Sequence, residues 1–372
     1  MSQFRMLVLC LVPLILAGSI AYYFQLTYGL TVTGMGREVS WGLYISNFTF
    51  LVGIAASAVI LVLPYYLYSY REFRSLALLG EIVAICAIVM CMLFILVDLG
   101  RVDRVLNIIR YPSYTSVMFY DFIVLSTYLL LNIGVVTFIL KGRSEIAKLL
   151  AVVSIPWAIS IHTVTAFIYS GLVARSFWNT AILAPKFLAS AFASGASMMI
   201  ILGMITKKYT GLKIENEALL KLAEIGVFAM VCNLFLAGVE IFTSMYSANP
   251  EHVTHYLYLF FGIENYGNLT SMWWISVILG LAAVILLIIP TTRRDKVFLA
   301  ISSTFILVSV WMDKGLLLIV PAYVPSPTGL IEEYTPTILE ILISAGIWAL
   351  GILLMAFAIR SVSRYKFVLY QR

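Results

Sequence analysis

Residues 76–99 read LALLGEIVAICAIVMCMLFILVDL, with Glu81 and Asp98 as the only charges. At 1.5 Å per residue such a stretch makes a helix of about 36 Å, enough to cross the roughly 30 Å hydrocarbon core of a bilayer. It has no polar stripe at helical spacing, as a helix on a soluble core would. It is also several times longer than a buried strand. It predicts a transmembrane helix, and the chain repeats the pattern. Ten such runs lie at about residues 6–26, 43–68, 76–99, 117–140, 148–171, 181–206, 219–245, 270–290, 296–320 and 337–359. They are continuous rather than alternating, which excludes a β-barrel.

The whole composition agrees. Of 372 residues, 62% are hydrophobic and 11% charged, and the mean hydropathy is +1.01. A soluble domain is about half apolar and a quarter charged, and a disordered chain lies further in that direction. The expected fold is therefore an all-α polytopic membrane protein, a single integral membrane domain over residues 1–372. The first run, Met1–Ala21, could also be read as a signal peptide, with Ala17-Gly18-Ser19 near its end. It is long enough to span and lacks an A-x-A site, so a retained helix is expected.

Charge sets the expected orientation. Short basic joints follow the second, fourth, sixth and eighth runs: Arg71 and Arg74, Lys141 and Arg143, Lys207, Lys208 and Lys213, Arg293, Arg294 and Lys296. With Arg5, Lys148, Lys221 and the C-terminal Arg360, Arg364, Lys366 and Arg372, one side holds all but seven of the 24 basic residues. The positive-inside rule then places both termini in the cytoplasm, in a cytoplasmic membrane. The net charge of +6 reflects this bias and is no nucleic-acid footprint. The opposite joints are longer and rich in Tyr, Trp, Pro and Asn. An interfacial aromatic belt and a docking surface for another subunit both explain them.

Cys10, Cys86, Cys91 and Cys232 all lie in apolar runs without a C-x-x-C pair. Iron–sulfur, structural zinc and disulfide frameworks are therefore not expected. Of His162, His252 and His255, only His162 lies in an apolar run, so neither a bis-histidine haem b nor a metal site is expected. Thr33-Gly34-Met35-Gly36 is a lone G-x-G without a preceding strand and is no nucleotide site.

Ionisable groups at membrane depth are costly and mark function. Counting helical rise from the outer ends, His162 lies about 13 Å deep, Glu240 about 8 Å, and Asp313 and Lys314 about 10 Å. Asp98, Asp121 and Lys186 sit at helix ends on the same side. Local pairing of Asp98 with Arg101, and of Asp313 with Lys314, is the plain alternative. His162 and Glu240 have no partner nearby in sequence. A histidine beside a carboxylate suits deprotonation of a quinol. Glu81, in the inner half, is read either as a snorkelling side chain or as the start of a proton path through Asp98 and Asp121.

Several segments, in order, resemble the NrfD/PsrC family of quinone-interacting membrane subunits. They are Trp41–Phe48, Asp98–Arg104, Tyr120–Leu125, Ile161–Ala166 with Ala174–Asn179, Ala184–Ala191 and Lys314–Pro321. Within the family, the ten helices and the His162-Thr163-Val164-Thr165 segment most resemble the DsrP type, of sulfur metabolism, and the subunits of alternative complex III. The resemblance implies two four-helix bundles, residues 43–171 and 181–320, flanked by single helices at 6–26 and 337–359. It implies no redox cofactor in this chain and a menaquinol or menaquinone site near the outer face. Electrons would pass to an iron–sulfur ferredoxin-like subunit docked outside, in a complex that also holds a multihaem cytochrome c. By segment match the quinone pocket would use His162, Glu240 and Lys314, with Asn47 as a further contact. Proton translocation would accompany the electron transfer. A secondary transporter with a midplane site is the competing expectation, since ten helices and buried charges suit one too.

Overall fold

The computed structural model describes residues 3–55, 57–62, 65, 70–210, 214–326 and 328–370. Ten helices in it are long and apolar enough to cross a membrane. We label them α1 (Gln3–Tyr28), α2 (Leu43–Ala55, continued by Ser57–Val62), α3 (Arg74–Asp98), α4 (Val117–Leu140) and α5 (Ser144–Ser170). The remainder are α6 (Leu183–Tyr209), α7 (Asn216–Ser247), α8 (Thr270–Ile288), α9 (Lys296–Lys314) and α10 (Ile338–Tyr370). The chain is thus an all-α polytopic membrane protein, as its apolar runs predict. Lys213 and Arg372 of the basic set, and much of the run beyond Val62, lie outside the described residues.

Helices α2 to α5 pack in a ring, each on its neighbours, and α6 to α9 form a second ring. The rings meet where α2 packs on α6 and α9, and α5 on α6. Helices α1 and α10 pair with each other, and α10 lies against α3 and α2. Close approach of α1 and α10 needs small residues: a Cβ on Gly18 would stand 2.8 Å from the Gly346 Cα.

Burial follows from this arrangement. Every residue of Leu43–Ala55 is buried, because α2 has neighbours all round. Helix α7 instead turns Phe228, Phe235 and Phe242 outward at seven-residue spacing, a stripe suited to lipid contact.

Three features depart from uninterrupted apolar spans. Helix α9 breaks at Gly315, after which Leu316–Ile319 and Pro321–Tyr323 form short helical turns. Helix α10 runs well past residue 359. The joint before α8 holds a helix, Pro250–Phe261, started by Asn249, whose side chain accepts the Glu251 N–H. Asn at the cap and Pro in the first turn are a start signal written in the sequence.

The longer joints cluster at one end of the molecule. Tyr258 and the Asn268 N–H donate to the Glu333 carboxylate, and Ser40 donates to the Tyr323 hydroxyl. At the other end the basic joints meet acids, Lys221 with Glu72 at 3.6 Å and Arg293 with Glu224 at 3.1 Å.

Candidate functional site

His162, Thr165 and Tyr169 recur at positions i, i+3 and i+7 of α5, so they share one face, which is turned inward. The Thr165 hydroxyl donates to Asp121 Oδ1 of α4 at 2.6 Å, and Tyr169 shares a 2.6 Å hydrogen bond with Thr49 of α2. His162 is 1% exposed, and neither ring nitrogen has a hydrogen-bond partner. An unpartnered buried polar group costs about 1–3 kcal/mol, so such a ring is an oddity that a bound ligand would resolve.

Lys314, at the end of α9, is buried in the seam between the two rings. Its Nζ donates to the Phe187 carbonyl at 3.2 Å and lies 4.2 Å from the centre of the Phe187 ring. Gly53 makes room for it, since a Cβ there would lie 3.4 Å from the ammonium. Polar side chains of α2, α4, α5 and α9 therefore gather in the first ring and its seam with the second.

Neighbouring residues of a helix point about 100° apart, and Asp313 accordingly faces the second ring. There Lys186 of α6 lies 3.5 Å from Asp313 and 3.6 Å from Glu240 of α7. Two expected pairings are corrected. Asp313 bonds Lys186 rather than its neighbour Lys314. Arg101 grips Asp103, at 2.9 and 2.8 Å, rather than Asp98. The chain leaves helical geometry at Leu99, so the i,i+3 spacing from Asp98 to Arg101 no longer brings the two together. Among the described residues no ion pair joins Glu240 to Lys314 either. The three residues expected in one pocket are divided: His162 with Lys314 at the seam, Glu240 with Lys186 and Asp313 in the second ring. Lys186 lay outside the expected pocket, although its place in the first turn of α6, level with Glu240, was a signal for it.

A cavity of about 70 Å³ lies against the triad, with Asn233, Ser276 and Ser309 as further polar lining. A second, of about 150 Å³, lies beyond Glu240 toward the longer joints.

Asn47 is buried but committed. Its Oδ1 accepts from Trp311 at 3.1 Å and Trp348 at 3.0 Å, and its Nδ2 donates to the Leu43 carbonyl. It ties α2 to α9 and α10. Asp98 Oδ1 is buried without a partner. Glu81 is 1% exposed, and neither carboxylate oxygen has a hydrogen bond. It points into the first ring, so the snorkelling reading is corrected. Glu340, fully buried at the start of α10, was not anticipated. It accepts from the Gly34 N–H at 2.7 Å, Tyr334 at 2.6 Å and the Thr337 N–H at 2.8 Å. Thr337-Ile338-Leu339-Glu340 is a capping box, legible as such.

In the joints over this end, His255 Nδ1 meets the Val324 carbonyl at 2.9 Å. A carbonyl only accepts, so Nδ1 carries the hydrogen and Nε2 is left to face Ser176, 3.0 Å away. Burial pushes the His255 imidazole below its ordinary value of 6.5. The Arg175 guanidinium stacks on Tyr323 at 4.2 Å from the ring centre. Trp178, fully buried, donates to the Leu318 carbonyl at 2.7 Å and closes the top of the seam. Among the described residues no group of three or more His, Cys, Asp and Glu side chains is placed to hold a metal ion.

Comparison with known proteins finds relatives that match along almost the whole chain. A protein of Halobacterium salinarum, provisionally named as a membrane subunit of dimethyl sulfoxide reductase, is 25% identical over 93% of this chain and 88% of its own length. A selenate reductase subunit of Mesobacillus selenatarsenatis is 22% identical over 93% of this chain and 91% of its own. The Hdr-like menaquinol oxidoreductase integral membrane subunit of Archaeoglobus fulgidus is 22% identical over 96% and 93%. The profile of the NrfD polysulphide reductase family matches residues 31–325, most of the chain and both helical rings. The chain belongs to the NrfD polysulphide reductase family.

Proposed function

We propose that the chain is the quinone-interacting membrane subunit of a multi-subunit respiratory redox complex. It exchanges electrons between menaquinol or menaquinone and an iron–sulfur subunit docked on the face that carries the longer joints. That face is the outer one, and both termini are cytoplasmic, by the distribution of basic residues. The two rings serve as the bundles 43–171 and 181–320 of one membrane domain.

The observation that carries the reading is the His162 ring, buried at 1% exposure with neither nitrogen partnered. Oxidation of a hydroquinone releases two electrons and two protons, so its site needs an acceptor for each proton and gains from a donor that stabilises negative charge on a ring oxygen. An imidazole nitrogen supplies one acceptor. The Lys314 ammonium supplies the donor. Asp121, held by Thr165, offers a second acceptor. Glu240, across α9, takes protons on toward the outer face. Glu81, buried and unpaired on the opposite side, serves proton uptake for translocation. Asn47 acts on the site by fixing α2 against α9.

The relatives named as subunits of reductases and of a menaquinol oxidoreductase support this reading. The break of α9 at Gly315, beside Lys314, favours a secondary transporter. Affinity purification from a native membrane separates the two. The reading expects iron–sulfur and haem proteins, including a multihaem cytochrome c, to copurify with the chain. A chain that purifies alone and drives solute uptake in vesicles would overturn it.

A further inference from the structure

Glu240 lines both cavities of the second ring, and so do Phe177 and Tyr256. The cavity on the far side of Glu240 is ringed by hydroxyl side chains: Ser176, Thr180, Thr243, Ser244, Ser247 and Tyr256. Of its lining residues only Phe177 and Ile182 are apolar. Ser244, half-buried, stands in its throat, and Ser247, exposed, stands at its mouth. A cavity can hold a water once it exceeds about 10–15 Å³ and offers polar partners, and this one, at about 150 Å³ with hydroxyls in its lining, meets both conditions.

Glu240 thus has an ion-paired cavity on one side and a hydroxyl-lined vestibule on the other. The Tyr256 phenol stands between them. Burial, then the charges of Glu240 and Asp313, hold it well above its ordinary value, so it keeps its proton and remains a donor. With the Phe177 ring it narrows the passage around the carboxylate.

We infer that this vestibule is the proton-release route, in which Glu240 passes protons from the inner cavity to water between Ser244 and Ser247, with His252 at the rim as the last side chain able to carry one. The inference rests on the quinol reading and adds to it the path by which its protons leave. The step is a proton transfer alone. A hydroquinone O–H breaks against His162, its electrons go to the iron–sulfur partner, and its proton passes across α9 to the Glu240 carboxylate. That proton is then lost to vestibule water, which restores the carboxylate for the next.

The test uses the intact complex in proteoliposomes with its outer face outward. Ser247→Cys is made and treated from outside with a membrane-impermeant, positively charged methanethiosulfonate. Treated wild type controls for Cys10 and Cys232, which are exposed and half-buried. Because the label is added after folding, assembly is not at issue. Menaquinol oxidation by the labelled variant is expected to fall about tenfold or more, at unchanged apparent affinity for quinol. The solvent deuterium isotope effect should rise as proton release becomes limiting. Ser244→Val, in the throat, should show the same change without a label. If Ser247→Cys is not labelled from outside, or the labelled variant turns over at the untreated rate, the vestibule is not the route. A parallel His162→Ala complex separates the two claims. If it loses turnover while the labelled variant keeps it, only the route is wrong. If both keep it, the quinol reading fails as well.

Discussion

Removing the cation of the half-buried triad should cost more than removing the whole triad. Lys186 lies 3.6 Å from Glu240 and 3.5 Å from Asp313, and the three side chains are 14%, 11% and 26% exposed. At an effective dielectric near 20, each attraction is worth about 5 kcal/mol before desolvation is subtracted. Lys186→Met deletes both attractions and leaves two carboxylates facing each other in a cavity. Breaking a buried ionic cluster on one side typically costs about 3–5 kcal/mol, whereas replacing all its charges is close to neutral. The triple variant Lys186→Met, Glu240→Gln, Asp313→Asn should therefore recover most of the loss. In a thermal-shift assay on detergent-purified protein, Lys186→Met should melt about 5–10 °C below wild type, with the triple variant well above it. If Lys186→Met melts with wild type, or no lower than the triple variant, the side chains do not form a coupled ionic cluster. The division of buried charge between the two rings then falls too.

Three further expectations follow from individual contacts. Glu81→Gln should leave thermal stability unchanged within about 0.5 kcal/mol, because no hydrogen bond is lost, and should lower the protons translocated per electron in proteoliposomes; an unchanged ratio removes Glu81 from the proton path. Glu340→Gln weakens the charge-assisted bonds that hold Gly34 and Thr337, at a cost of about 1.5–3 kcal/mol, and amide exchange at residues 33–43 should quicken; unaltered exchange would show that Glu340 does not tether that joint. His255 is held neutral by burial, with Arg175 and His252 adding to the downward shift, so its stabilising contribution is full above pH 6.5 and is lost as pH falls from there through its lowered folded value. Amide exchange around Ala322–Val324 should quicken on acidification from pH 7 to 5, and His255→Gln should flatten that response; equal responses would exclude His255.

Hydropathy made the helices legible because lipid forces backbone groups to pair within each segment. Residues 76–99 and α3 agree to within two residues, for that reason. The helix at Pro250–Phe261 and the capping box at Thr337 were equally open to reading, but both lie in joints, where apolar periodicity gives no lead. Position along a helix can be counted in the sequence, and the structure finds His162 and Lys314 buried and Glu240 half-buried. What depth does not contain is azimuth. Asp313 and Lys314 share a level yet serve opposite sides of α9, and only the packing of α9 between α6, α8 and α2 decides which side each serves. The same limit hid the pairing of Lys186, on a different helix from both its acids. Asn47 shows the converse: a polar residue in a fully buried helix reads as a ligand contact, while its bonds are spent on two tryptophans that arrive from far along the chain.

The central claim is that His162 handles quinol, and steady-state menaquinol oxidation by the purified complex carrying His162→Ala tests it most directly. The set of assembled subunits and the thermal stability should match wild type, because His162 makes no hydrogen bond that the protein depends on. Turnover should fall by about 10²–10⁴-fold, the usual loss when a positioned proton acceptor is removed. A fully assembled His162→Ala complex that oxidises menaquinol at the wild-type rate would contradict the account and place the quinone site elsewhere.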